Sequence, residues 1–157
     1  FVLGKRLEGE NITLMDVLKA TDYVCPAVEI VDSRVVRVHP ETGRRRKVFD
    51  TIADNAACAG LITGGRPVKP MDVDLRWIGA IVSRNGLIEE TGVSAGVLNH
   101  PGNGIVWLAK RFAPHGIALE PGQIILGGSF TRLLSVERGD TFHADFGPMG
   151  SIGFRFV

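Results

Sequence analysis

Apolar positions recur along this chain at two spacings, and the spacing changes from one segment to the next. Phe1-Val2-Leu3 reads as a strand already under way. In ITLMDVLKATDYV (12–24), Leu14, Val17, Leu18, Thr21 and Val24 fall at helical spacing. Thr13 stands as N-cap with Asp16 three residues on, an acidic variant of the capping box. Pro26 closes the helix, because the residue before a proline avoids the α region. PAVEIVDSRVV (26–36) then reads as a strand, and VHPETGRRRK (38–47) as a polar, basic surface loop. FDTIADNAACAG (49–60) predicts a short helix capped by Asp50 or Thr51, and ITGGRPVKP (62–70) a glycine- and proline-rich loop. In LRWIGAIVSRNGLIEETG (75–92), Asn85-Gly86 between apolar runs signals a hairpin. HPGNGIVWLAKRFAPHG (100–116) predicts a second main helix, with Ile105, Leu108 and Phe112 on one stripe and Pro114 and Gly116 stopping it. QIILGGSF, RLLSV, TFHADF and SIGFRFV predict four further strands. The expected architecture is a β-rich α+β fold, one domain over residues 1–157.

Composition narrows the classes. The chain has 157 residues, enough for one sizeable core. Its 20 glycines are roughly twice the usual share, which suits a fold rich in tight turns. A formal net charge of +1 creates no field directed at nucleic acid or a membrane surface. The GRRRK run is too short, and too poor in aromatic neighbours, to argue for nucleic acid. No apolar run is long enough to span a bilayer. Cys25 and Cys58 lie in apolar contexts and read as small hydrophobes in a reducing, cytoplasmic setting.

The chemistry begins at Glu29. It interrupts the apolar run Ala27-Val28-Glu29-Ile30-Val31, and strand alternation places it with Ala27 and Val31. A carboxylate facing a core needs a partner: a cation such as Arg34, a metal ion, or water at the sheet end. The residues leave these open. One carboxylate does not make a Mg²⁺ site alone, since hard cations take several oxygen ligands. Glu89 and Glu90 follow the hairpin turn and read as solvated. The histidines show no zinc spacing. Lys47, Asp50, Thr51, Asp54 and Asn55 cluster around small apolar residues, and their bland reading is a capped helix. GGSFTR (127–132) is either a bulge or a loop whose Ser129 and Thr131 hydroxyls grip an anion.

Six stretches carry a resemblance: FVLGKRL, ATDYVCPAVEIVDSR, HPETGRRRKVFDTIADNAACAG, GGRPVKPMDVDLRWIGAIVSRNGLIEETGVSAGVLNHP, GQIILGGSFTR and GDTFHADFGPMGSI. Together they resemble the C-terminal part of the 2-oxo-acid hydratase/decarboxylase family of aromatic catabolism, related to the fumarylacetoacetate hydrolases. The HPETGRRRKVFDT loop and RNGLIEETGV resemble its seven-carbon branch, the 2-oxohept-3-ene-1,7-dioate hydratases. The resemblance implies a mixed β-roll with two main helices. It also implies a Mg²⁺ or Mn²⁺ site of three acidic residues: two from an E-x-E motif and a third at the position of Glu29. That motif would fall just before Phe1, so the chain is expected to be a C-terminal catalytic segment lacking two ligands. The substrate implied is a small 2-oxo dicarboxylate, hydrated to 4-hydroxy-2-oxoheptane-1,7-dioate. Glu29 would bind metal, and Lys47 and Asp54 would join the catalytic set. Arg34, Ser129, Thr131 and Arg132 would hold substrate carboxylates, with Arg132 or the 44–47 cluster taking the one at C7. A homo-oligomer is expected. Pentadienoate hydratases and 4-oxalocrotonate decarboxylases of the same family share the metal chemistry, and a non-catalytic assembly module is the contrasting possibility.

Overall fold

In a computed structural model, all residues from Phe1 to Val157 are described. The elements run β1 (Val2–Leu3), α1 (Leu14–Ala20), β2 (Thr21–Tyr23), β3 (Ala27–Val31), α2 (Val48–Ala53), β4 (Cys58–Thr63), β5 (Gly79–Arg84), β6 (Leu87–Val93), α3 (Gly102–Phe112), β7 (Thr141–Asp145) and β8 (Ser151–Arg155). The fold is α+β, with helices and antiparallel sheets mixed along the chain. No helix is long and apolar enough to cross a membrane. The chain forms two compact units, one of residues 1–26 and 64–157, the other of residues 27–63.

The larger unit carries the apolar core. One cluster gathers Leu3, Leu7, Val17, Ala20, Ile105, Ala109, Leu119 and Ile125. It forms because α1 and α3 each turn one apolar stripe inward: Val17 and Ile105 are wholly buried, and Leu108 and Phe112 pack against the cluster. The start of α1 is built as expected. The Thr13 amide donates to Asp16 Oδ2 at 2.9 Å, and the Asp16 amide donates to Thr13 Oγ1 at 3.3 Å. Its end is not. The helix stops at Ala20, before Pro26, and Thr21–Tyr23 becomes β2, paired with β1. Thr21 Oγ1 donates to the Val17 carbonyl at 2.8 Å, satisfying a helix-end acceptor as the backbone extends. Pairing with β1 outweighs the apolar periodicity of Thr21 and Val24.

A four-stranded antiparallel sheet of order β6-β5-β7-β8 completes this unit. Asn85 and Gly86, at φ 53° and 85°, form the β5–β6 turn with Arg84 paired to Leu87. Both left-handed residues are what a tight hairpin turn requires. Phe142, Phe154 and Phe156 pack together, with ring centroids 5.5–5.8 Å apart. Two of the four late strands are absent. Residues 123–136 form no sheet ladder, and their regular contacts are to the chain start, with Ile125 N–H donating to the Phe1 carbonyl at 2.8 Å. Gly127 and Gly128 let this segment pass close to Pro101 and Val97: a Cβ would lie 3.0 Å from the Pro101 carbonyl oxygen and 2.9 Å from Val97 Cγ1 respectively.

The smaller unit is a two-stranded ribbon, β3 against β4, with α2 and a basic hairpin. The sequence pattern predicts a helix over 49–60 and a loop over 62–70, yet Cys58–Thr63 pairs with β3 from Ala27↔Thr63 to Val31↔Cys58. The glycines around it masked a strand that exists only because β3 lies beside it. Residues 38–47 are more ordered than a surface loop. Val38 bridges Arg45, His39 N–H donates to the Arg44 carbonyl, and Gly43 turns the chain at φ 67°. α2 begins one turn earlier than its candidate caps: the Lys47 amide donates to Asp50 Oδ2 at 2.7 Å, so Asp50 serves from inside the helix.

Candidate functional site

Four of the predicted site residues, Glu29, Arg34, Lys47 and Asp54, lie in the smaller unit. Glu29 sits at the centre of β3 opposite Leu61 of β4. Its face is exposed rather than core-facing, because the ribbon has no second layer within its unit. No cation pairs with it. The Glu29 carboxylate lies beside Cys58, across the ribbon, and pushes that thiol above its usual range by disfavouring the thiolate.

Arg34 is held by Asp54 instead. Arg34 Nε donates to Asp54 Oδ1 at 2.5 Å, and the Arg34 amide donates to Oδ2 at 3.0 Å. Ser33 Oγ donates to the same Oδ2 at 3.0 Å, and Arg34 also reaches the Asp54 and Cys58 carbonyls. The Asp54 side chain is only 3% exposed, whereas that of Arg34 is 54% exposed. These donors, the Arg34 guanidinium first, hold the Asp54 carboxyl below the usual carboxylate range against the opposing effect of burial. At neutral pH Asp54 is therefore an anion committed to fixing Arg34. Lys47 stands apart from this pair, at the start of α2, and lines a cleft with Arg37, Arg45 and Arg46.

The other three predicted residues lie in the larger unit. Ser129 Oγ donates to the Thr131 carbonyl at 2.8 Å and accepts from the Thr131 amide at 3.4 Å. GGSFTR is thus a hydroxyl-stabilised turn rather than a bulge, since no ladder runs through it. Arg132 donates through Nε to Glu90 Oε1 at 2.8 Å, and its amide donates to Oε2 at 3.3 Å. Glu90 is buried at 9% exposure, while the Arg132 side chain is 86% exposed. Glu90 therefore corrects the reading of Glu89 and Glu90 as solvated. Glu89 pairs with Arg84 at 2.7 Å, and Glu90 reaches inward to Arg132, which lowers its carboxyl pKa. The β5–β6 register shifts here, Val82 facing Glu90 and Ser83 facing Ile88, so Glu89 is an extra residue in the ladder and no regular alternation marks Glu90 in the sequence. Gly92 permits the approach of this segment, for a Cβ there would meet the Phe130 carbonyl oxygen at 2.0 Å.

Mg²⁺-type cations take oxygen ligands and need several of them. Glu29, an unpaired carboxylate at a strand centre, is chemically suited to one position. No three His, Cys, Asp or Glu side chains converge anywhere in the chain. These 157 residues therefore present one fitting donor and not a complete ligand set.

Comparison with known proteins gives these residues a context. No family model matches the chain. It is 64% identical over all 157 residues to 2-oxo-hept-4-ene-1,7-dioate hydratase of Escherichia coli, covering 59% of that protein. It is 38% identical over 156 residues to 2-keto-4-pentenoate hydratase of Paraburkholderia xenovorans (strain LB400), covering 99% of this chain and 56% of the relative. Among solved structures, 4-oxalocrotonate decarboxylase from Pseudomonas putida G7, complexed with magnesium and adipate, superposes with a TM-score of 0.88 at 35% identity, over 99% of this chain and 57% of that one. The chain thus spans a little more than half the length of the relatives it matches.

Proposed function

Because the chain belongs to the family of 2-oxo-acid hydratases and 4-oxalocrotonate decarboxylases, we propose that it is part of a divalent-metal-dependent hydratase acting on a seven-carbon 2-oxo diacid. The finer fold reading is the mixed β-roll of the fumarylacetoacetate-hydrolase type. The reaction moves a proton from C3 to C5 of the 4-ene, bringing the double bond into conjugation with the 2-oxo group. Water then adds, with its hydroxyl at C4 and its proton at C3, giving 4-hydroxy-2-oxoheptane-1,7-dioate. The observation that carries the reading is Glu29, a strand-centre carboxylate with no cation of its own in a chain 64% identical to a hydratase.

When bound, Mg²⁺ or Mn²⁺ would supply Lewis-acid stabilisation of negative charge on the oxo oxygen. Glu29 provides one carboxylate ligand. The Lys47 ammonium contacts the oxo oxygen or the C1 carboxylate. Arg34, held rigid by Asp54, presents its remaining N–H groups to a carboxylate. Asp54 acts by fixing Arg34 rather than by moving a proton, since its lowered pKa leaves it a poor base. Within the larger unit by itself, Ser129, Thr131 and Arg132, the last braced by Glu90, are the candidate carboxylate donors.

The test is Glu29→Gln in the complete polypeptide that carries this chain. Metal-dependent hydration should fall about a hundredfold or more, as befits a group worth several kcal/mol. Turnover at the parent rate would remove Glu29 from the ligand set. Release of CO₂ by the parent, in place of the 4-hydroxy product, would transfer it to the decarboxylase branch.

A further inference from the structure

The smaller unit contains a cleft of about 460 Å³ whose lining includes Arg37, Arg45, Arg46 and Lys47. The basic hairpin builds it. Arg46 N–H donates to the Arg37 carbonyl at 3.0 Å, Val38 bridges Arg45, and Lys47 opens α2 directly after. None of the four cations forms an ion pair, and no acidic side chain lines the cleft. The nearest acidic group in sequence, Asp50, is turned to the Lys47 amide. Four like charges held around one cavity repel one another unless an anion joins them. Thr51 adds a hydroxyl, while Val38 and Val48 supply the apolar lining that a methylene chain would lie against.

The other candidate anchors for a second carboxylate each share their charge with a protein carboxylate. Arg34 is 2.5 Å from Asp54, and Arg132 is 2.6 Å from Glu90. The cleft and the Glu29 strand belong to the same unit. The Arg46 guanidinium donates to Ser33 Oγ, and Ser33 follows Glu29 by four residues.

We propose that Arg37, Arg45 and Arg46 of this cleft hold the distal carboxylate of the substrate, leaving Lys47 for its 2-oxo end, and so select a dicarboxylate over a five-carbon monocarboxylate. This rests on the proposed hydratase reading and deepens it. Arg37 and Arg45 are exposed and lie on the hairpin, so their replacement leaves the core untouched.

The experiment compares the complete polypeptide with its Arg37→Gln/Arg45→Gln variant. Two measurements are made: calorimetric binding of heptanedioate against hexanoate, and steady-state kinetics on the seven-carbon diacid against 2-hydroxypenta-2,4-dienoate. The parent should prefer heptanedioate, and the variant should lose that preference by about tenfold or more, since two charge-assisted bonds are removed. KM for the diacid should rise by a similar factor, with five-carbon turnover within about twofold of the parent. Equal binding of the two probes by the parent, or an unchanged preference in the variant, overturns the proposal. So does a parallel loss on both substrates. A parent that hydrates neither substrate defeats the hydratase reading alone, because the two binding probes still report on the cleft.

Discussion

At the scale of single residues, the decisive feature is how carboxylates divide the available cations. Asp54 and Glu90 are buried and each holds an arginine, whereas Glu29 is exposed and holds none. The Asp54 carboxyl is depressed below its ordinary 3.8, so it binds protons less readily folded than unfolded. Its stabilising contribution is then complete above about pH 4 and is lost as pH falls through the folded value. Asp54→Asn should be less stable than the parent in urea at pH 7, with the gap narrowing toward pH 3. A gap of constant size across that range would mean that Asp54 acts through packing rather than through its charge. The sequence marked Glu29, Arg34 and Asp54 as chemically notable. It did not reveal that Arg34 belongs to Asp54, because that pairing joins residues 20 apart. Nor did it single out Glu90, whose partner is 42 residues away.

At the scale of elements, local signals held wherever the deciding interaction was local. The Thr13–Asp16 cap and the Asn85-Gly86 turn each depend on residues within a few positions, and both formed as read. The end of α1, strand β4 and the segment 123–136 depended on partners far along the chain, and each departed from its pattern. Gly92 shows how one element positions another. Gly92→Ala would place a methyl group 2.0 Å from the Phe130 carbonyl oxygen, where the backbone must shift. A cost of about 1–3 kcal/mol is expected from this overpacking. Chemical denaturation would read the cost, and amide exchange would show faster opening around residues 127–132. Unchanged stability and exchange would mean that the segment accommodates the methyl group without strain.

At the scale of the whole molecule, apolar burial is unevenly shared. The clustered core belongs to the larger unit, while the unit of residues 27–63 buries only Asp54 and Ala57. That lightly buried unit carries Glu29, Lys47 and the basic cleft. With one suitable carboxylate and no convergent trio of donors, the 157-residue chain alone should bind Mg²⁺ no more tightly than the millimolar range. Calorimetric titration checks this, and a clean micromolar isotherm would require a donor set beyond Glu29 within these residues.

The α+β class, the two main helices, the tight β5–β6 hairpin and the family resemblance were legible along the chain. Each of these follows from short-range periodicity, turn stereochemistry or residue identity along one line of chain. Which cations were free was settled by the folded arrangement. Ion pairing and burial are properties of residues brought together from distant positions, and they bound Arg34 and Arg132 to carboxylates while leaving Arg37, Arg45, Arg46 and Lys47 without one.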